Sequence, residues 1–127
     1  MIVTDERVAR FISEKVGKPF FPPFTCMGWE KDGEIVSGVL FNCFEKPDLH
    51  VSVAGSWFPR SLLKETGRYV FEQLGFERAT IITEQPHVVR LAERLGGQVE
   101  GLLRSHFGRG RDAFVVGILA DEFKFKW

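Results

Sequence analysis

The sequence has little that would cross-link the chain. It holds only two cysteines, Cys26 and Cys43, which are too few for a disulfide framework or a zinc site. A hairpin that turns at Asp32-Gly33 places Cys26 near Val39 and not opposite Cys43, so we expect no bridge between them. We expect both thiols to be buried as small apolar groups, and we expect no metal site.

An excess of charge and a long apolar run are also absent. Lys and Arg together number 17 and so do Asp and Glu, so the net charge gives no argument for a nucleic-acid partner. No apolar run approaches the roughly 18 residues of a membrane span. The first residues lack the basic start and apolar block of a signal peptide. We therefore expect a cytoplasmic protein with neither a nucleic-acid nor a membrane partner.

The composition is rich enough in apolar residues for one core. It is 44% hydrophobic and 13% aromatic, which predicts a single domain over residues 1–127. Antiparallel strands beside one strand–helix–strand crossover predict an α+β fold, with a mostly antiparallel central sheet and helices on both faces. The predicted elements are a helix from Thr4 to Gly17, strands over 26–30, 35–44 and 49–54, a helix over 62–74, a strand over 78–83, a helix over 86–95, and strands over 98–107 and 113–120.

One stretch organises the rest of the chain. A short apolar strand over 50–54 runs through an abrupt turn over 55–59 into an amphipathic helix that Gly75 ends. Such a turn leaves backbone N–H groups free at the helix start, where the helix dipole favours phosphate or another anion. The residues alone leave the alternative open, an ordinary strand–helix unit with a solvated helix start.

An aromatic loop follows the first helix. Residues 18–24 contain three prolines and three phenylalanines, which exclude a helix and a central strand. Two interpretations stay open. The loop plugs one end of the core, or it forms an aromatic wall beside a ligand.

Two segments in the second half of the chain resemble a known family. Residues 69–79 are similar to the central helix and following strand of GNAT-type N-acetyltransferases, and residues 91–104 are similar to a run of the ribosomal-protein acetyltransferases and their short phage and prophage relatives. Asp112 and residues 119–123 continue the pattern. The resemblance covers roughly residues 50 to 123.

The resemblance implies acetyl-CoA as cosubstrate and an amine of a protein or small molecule as acceptor. In such enzymes the pantetheine arm pairs with the fourth strand and the pyrophosphate lies on the turn before the central helix. The residues that would bind the cosubstrate here are Ser52, Val53, Ala54, Gly55, Arg60, Ser61, Leu62 and Lys64. We expect Phe21, Trp57 and Phe58 to line the acceptor side of the cleft.

The sequence also departs from the family. Its turn has no glycine between Gly55 and Gly67, and Pro59 removes one N–H donor, which argues for reduced or altered CoA binding. Ala92 stands where many relatives have the tyrosine that protonates the leaving thiolate. The Asn and Ser that begin the next helix in the ribosomal branch are Gln85 and Val88 here.

Acyl transfer to an amine requires a base and polarisation of the thioester carbonyl. The candidate bases are Glu84 after the fifth strand and His106 near the end of the sixth, with His50 as a third. Each residue also fits a non-catalytic interpretation, Glu84 as a solvated charge and His106 as an exposed strand residue.

Two functions therefore stay open. The first is an N-acetyltransferase that works by direct attack within a ternary complex. The second is a degenerate GNAT fold that serves as a binding or structural module, with weak or no CoA binding.

The last five residues alternate aromatic and basic side chains. Phe123, Phe125 and Trp127 would share one face of a strand. That strand would pair with its own sheet, which we favour, or with a second copy in a homodimer.

Overall fold

The computed structural model describes residues 1–127 and contains one seven-stranded sheet, ordered β1-β2-β3-β4-β5-β7-β6. Only β4 and β5 are parallel, and every other neighbouring pair is antiparallel. The predicted α+β fold with one parallel crossover is therefore confirmed. The elements are β1 Ile2–Val3, α1 Glu6–Val16, β2 Thr25–Lys31, β3 Glu34–Glu45, β4 Asp48–Gly55, α2 Arg60–Gly67, a π-helical segment Arg68–Gln73, β5 Arg78–Thr83, α3 Pro86–Arg94, β6 Gln98–Leu103, β7 Ala113–Leu119 and a 3₁₀ turn Ala120–Glu122.

Helices cover both faces of the sheet, as expected. Helix α1 packs on one face through a small core that includes Ile12 and Ala54, while α2 and α3 cover the main core on the other face. Because successive side chains of a strand point to opposite faces, Val51 and Val53 of β4 face α2 and α3. The intervening Ser52 faces the α1 side.

The start of α1 differs from the prediction by one residue. Asp5 is the N-cap instead of Thr4, because Asp5 has the extended backbone and its carboxylate accepts a bond of 3.0 Å from the N–H of Arg7. Strand β1, which precedes it, pairs with β2 and was missed because two residues carry no alternation. Gly17 ends the helix with φ 73°, as predicted.

The helix after β4 is not regular throughout. Helix α2 ends at Gly67 and continues as the π-helical segment, which the apolar stripe did not predict. A Cβ at position 67 would collide with the ring of Phe123, so the close approach requires glycine. In the π-helical segment Tyr69 reaches back across the sheet and hydrogen-bonds Thr25 at 2.8 Å.

The C-terminal tail packs within the chain, but not as a strand. Phe123 is buried in the main core, and Trp127 Nε1 donates to the Glu72 carboxylate at 2.5 Å. Phe125 lies 4.7 Å beneath the guanidinium of Arg60. The expected packing within one chain is therefore confirmed, while the expected pairing with the sheet is wrong because α2 and its π-helical continuation offer the apolar surface.

Two further expectations, the burial of both cysteines and the end of β6, are wrong. Cys43 is exposed and Cys26 is half-buried, while Cys26 lies opposite Leu40, next to Val39 and away from Cys43, as expected. Cys43 lies at the irregularity of the β3–β4 ladder with φ 51°, which removes it from the alternation of the strand. Strand β6 ends at Leu103 instead of residue 107, because the chain turns where the N–H of Ser105 donates to Asp112 at 2.8 Å.

No helix of the structure combines the length and the apolar character that crossing a membrane would require.

The buried position of the tail can be tested by unfolding. Phe123→Ala should lower the free energy of unfolding by about 3–5 kcal/mol, because it opens a cavity in the main core. Trp127→Ala is the matched control, since Trp127 is 42% exposed and its loss should cost about 1 kcal/mol. Urea unfolding measures both. Equal effects would mean that the tail does not belong to the core.

Candidate functional site

The candidate site begins where β4 and β5 stop pairing. Their parallel register runs from Asp48–Arg78 to Val51–Ile81 and goes no further. Beyond that point the backbone groups of β4 that face β5 have no strand partner. Backbone edges of this kind are available to hydrogen-bond a ligand.

Two side chains bridge the gap between the strands. Gln85 Nε2 donates to the carbonyl of Val53 at 3.0 Å, and His87 Nε2 lies 2.9 Å from the carbonyl oxygen of Gly55. Gly55 has φ 119°, and a Cβ there would lie 2.6 Å from Ser37 Cα, so only glycine fits at the end of β4. The strand edge is therefore shaped by Gly55 and covered by two side chains from the start of α3.

A cleft of about 360 Å³ opens beside the gap on the α1 face of the sheet. Its walls come from the end of α1, the aromatic loop, β4, the end of β5 and the turn between β6 and β7. The lining includes Lys15, Val16, Lys18, Pro19, Phe20, Phe21, Asn42, Cys43, His50, Val51, Ser52, Val53, Ile82, Thr83, Glu84, Gln85, His106 and Phe107.

The aromatic loop has two parts in the structure. Phe20 and Phe24 pack against the small core under α1, as a plug would. Phe21 is 74% exposed and lines the cleft. Its expected role on the acceptor side stays a prediction.

Glu84 lines the cleft but is paired with a cation. The guanidinium of Arg111 binds both carboxylate oxygens of Glu84, with Nε at 3.2 Å from Oε2 and a second, shorter bond from Nη2 to Oε1. These bonds lower the pKa of Glu84. A carboxylate held in this way is a poor proton acceptor, because protonation would break a bidentate ion pair.

His106 lines the same cleft from the turn after β6, not from the strand itself. Partial burial, together with the nearby charges of Lys18 and His50, lowers the pKa of His106. The lowered pKa favours the neutral imidazole, whose lone pair can accept a proton. Lys18 is held close by, with its ammonium 5.8 Å from the centre of the Phe107 ring.

A second groove lies across the gap on the other face of the sheet. It is lined by the turn before α2, which includes Ser56, Trp57 and Phe58, and by His87, Arg90 and Arg94 of α3. Trp57 packs edge-on against Trp29 at 6.0 Å. The structure therefore does not bring Trp57 and Phe58 to the cleft that Phe21 lines.

The residues expected to bind the cosubstrate fall into two sets. Residues 52–55 lie on β4 at the gap. Ser61 lies in the first turn of α2, Leu62 is fully buried, and Arg60 stacks on Phe125. No side chain caps α2, whose N-cap is Pro59. The individual roles of Arg60, Ser61, Leu62 and Lys64 stay predictions.

Sequence reasoning missed His87 and the arginines of α3. Pro86 was correctly expected in the first turn of that helix. The missed signal was the spacing of Arg90 and Arg94, four residues apart on one helix face beside the gap. The side chains nowhere form a group of three or more His, Cys, Asp or Glu residues suited to a metal ion.

Comparison with known proteins gives a fold likeness. No protein-family model matches the chain, and no curated protein is significantly similar to it. Among solved structures, spermidine N-acetyltransferase from Vibrio cholerae in complex with CoA and spermine is 16% identical, with a TM-score of 0.72 over 96% of this chain and 96% of that one. Mutant forms of the spermidine/spermine N-acetyltransferase SpeG from the same organism are 19% identical, with a TM-score of 0.71 over 95% of both chains. SpeG in complex with manganese ions is 20% identical, with a TM-score of 0.69 over 95% of this chain and 92% of that one.

The fold is that of the GNAT N-acetyltransferases. The likeness extends over nearly the whole length of both chains, so the GNAT fold includes the N-terminal third that the sequence resemblance did not reach. It does not test the expected nearness to the ribosomal-protein branch and its phage relatives, which stays a prediction. At these identities the likeness establishes the GNAT fold and leaves the function to be argued from the site.

The neighbours of His106 can be tested by titration. Lys18→Ala should raise the pKa of His106, because it removes a positive charge that opposes protonation of the imidazole. NMR shifts of the His106 ring protons against pH measure the pKa. Lys15→Ala is the matched control and should change it less. An unchanged pKa in Lys18→Ala would contradict the proximity of the two groups.

Proposed function

We propose that the protein is an N-acetyltransferase that moves an acetyl group from acetyl-CoA to an amine. The observation that carries this proposal is the gap between β4 and β5. A cleft opens beside the gap on one face of the sheet and a groove opens on the other. A long cosubstrate in the groove can therefore pass its reactive end through the gap to an acceptor in the cleft.

The residues around the gap suit the parts of acetyl-CoA. The edge of β4 over residues 52–55 has no strand partner, and its backbone groups other than the bonded carbonyls of Val53 and Gly55 can bind the amides of the pantetheine arm. The start of α2 with Ser61, the ammonium of Lys64 in the last turn of that helix, and the guanidiniums of Arg90 and Arg94 offer donors and positive charge to the phosphates. The positive charges of Arg90 and Arg94 in the groove would bind the phosphates, and they would compensate for the turn's lack of the glycines that let phosphate approach the backbone.

Transfer would proceed by direct attack. The amine nitrogen bonds to the thioester carbonyl carbon, the carbon–sulfur bond breaks, and the thiolate of CoA leaves. His106 takes the proton of the amine, since its neutral imidazole lines the cleft and Glu84 is paired with Arg111. A backbone N–H at the free edge of β4 polarises the carbonyl. With Ala92 in place of the tyrosine, the thiolate is protonated by water or leaves as the anion.

A second function is favoured by one observation. The carbonyls of Val53 and Gly55 are already bonded by Gln85 and His87, so the gap is bridged. If these two hydrogen bonds stayed in place in the presence of CoA, the gap would stay closed to the cosubstrate. The protein would then be a binding or structural module with a GNAT fold. Cytoplasmic location, a homodimer and the lack of a nucleic-acid or membrane partner stay predictions.

The two functions are separated by one titration. We expect acetyl-CoA to raise the melting temperature, because a ligand that binds only the native state stabilises it by mass action. A panel of primary amines should then release CoA, detected by chromatography. No thermal shift and no calorimetric heat at millimolar acetyl-CoA would overturn the acetyltransferase and leave the binding module.

The bridge across the gap gives a further prediction. His87→Ala should tighten acetyl-CoA binding by up to about tenfold, since a typical hydrogen bond contributes about 0.5–1.5 kcal/mol net and 1.4 kcal/mol is tenfold in affinity. Glu93→Ala, exposed on the same helix, is the control and should leave the affinity unchanged. Weaker binding in His87→Ala would show instead that the imidazole holds the cosubstrate.

A further inference from the structure

The charges that line the cleft are mainly positive. Lys15 and Lys18 are its two cationic side chains and stand at its α1 end, and the imidazoles of His50 and His106 also line it. Glu84 is the only carboxylate in the lining, and both of its oxygens are bound by Arg111. The cleft therefore contains no carboxylate that is free to bind a cationic group.

This distribution of charge excludes one class of acceptor. A polyamine carries several ammonium groups, and each would need a carboxylate or another acceptor to replace its water. In this cleft the ammonium groups of a polyamine would be repelled by the positive charges of Lys15 and Lys18. The solved structure with spermine establishes a polyamine ligand for the Vibrio cholerae enzyme only.

The remaining walls indicate the size and character of the acceptor. Phe20, Phe21 and Phe107 give apolar surface on one side, and Ser52 and Asn42 give neutral polar groups on the other. The volume of about 360 Å³ is near the lower end for small-molecule pockets. It fits a compact molecule with one apolar part.

We propose that the acceptor is a small amine that also carries an anionic group, a carboxylate or a phosphate, which Lys18 binds while the amine points toward His106 and the gap. This inference rests on the proposed acetyltransferase function. Lys18 is suited to the role because its ammonium is positioned at the ring of Phe107 and lies near His106. Lys15 contributes a second positive charge at the mouth.

The surroundings of His106 agree with the same inference. Partial burial is the largest cause of the lowered pKa of His106, and the nearby positive charge of Lys18 lowers it further, so that charge acts as far into the cleft as the proposed base. An anionic group bound at Lys18 would offset that charge. It would also draw the amine to the side of the cleft where the proton acceptor lies.

The test uses matched pairs of amines that differ by the anionic group alone. Phenylalanine is compared with phenethylamine, phosphoethanolamine with ethanolamine, and spermidine serves as the polyamine. With saturating acetyl-CoA, we expect kcat/KM for the anionic member of at least one pair to exceed that of its neutral-tailed partner by tenfold or more. Which pair responds distinguishes a carboxylate from a phosphate. Equal values within both pairs, or spermidine as the best acceptor, would overturn the inference.

Variants identify the group responsible. Lys18→Ala should abolish the preference within the responding pair, so that both amines react with equal kcat/KM, while Lys124→Ala, on the distant tail, should leave the preference unchanged. Arg111→Ala frees the Glu84 carboxylate and should raise the rate with spermidine severalfold. A preference that survives in Lys18→Ala would overturn the assignment of Lys18.

Failure of the inference and failure of the proposed function give different results. If spermidine is acetylated better than every anionic amine, the acetyltransferase stands and only the inference falls. If acetyl-CoA does not bind, the proposed function falls. The amine pairs are then compared by calorimetry on the free protein, where equal affinities within both pairs overturn the inference and tighter binding of an anionic member upholds it.

Discussion

The short parallel pairing of β4 with β5 is the constraint on which the site depends. It is clamped at one end by polar contacts on the open face of the sheet. Thr80 Oγ1 donates to Asp48 at 2.9 Å, and Arg78 binds Glu100 at 2.5 Å and lies 3.5 Å from Asp48. These contacts cross from β4 through β5 to β6. They hold the two parallel strands together where the helices give no cover, so the strands can separate only at the far end, beyond Val51 and Ile81.

The far end is held by weaker contacts. Gln85 and His87 each make one hydrogen bond to β4. A typical hydrogen bond contributes about 0.5–1.5 kcal/mol net, which is small beside the interactions that a molecule as large as acetyl-CoA can make. The two hydrogen bonds from Gln85 and His87 therefore lower the affinity for a ligand in the gap, but they are too weak to keep the gap closed against it. The end of the two strands that lies between the cleft and the groove is therefore the less firmly held of the two.

The sequence predicted the fold because its signals are local. Period-two strands, apolar helix stripes and glycines at helix ends fixed the order of the elements, and these depend only on residues close in the chain. The π-helical segment was not predicted, and the tail was expected on the sheet and not on α2, because its contact with Gly67 joins residues 56 positions apart in the printed numbering. The separation of Trp57 from Phe21 was missed for a similar reason. The turn after Gly55 carries the chain to the opposite face of the sheet.

The same distinction decides how far the candidate site could be predicted. Glu84 and His106 were predicted as candidate bases because their residue types suit proton transfer, and both line the same cleft. Their surroundings come from residues far away in the chain: Arg111 pairs with Glu84, while burial in the cleft and the charge of Lys18 lower the pKa of His106. These contacts make His106 the proposed base, a choice that the sequence alone left open. Arg111 neutralises Glu84, the only carboxylate that lines the cleft. Lys15 and Lys18 therefore have no acidic partner in the cleft, and its positive charge follows from that single ion pair.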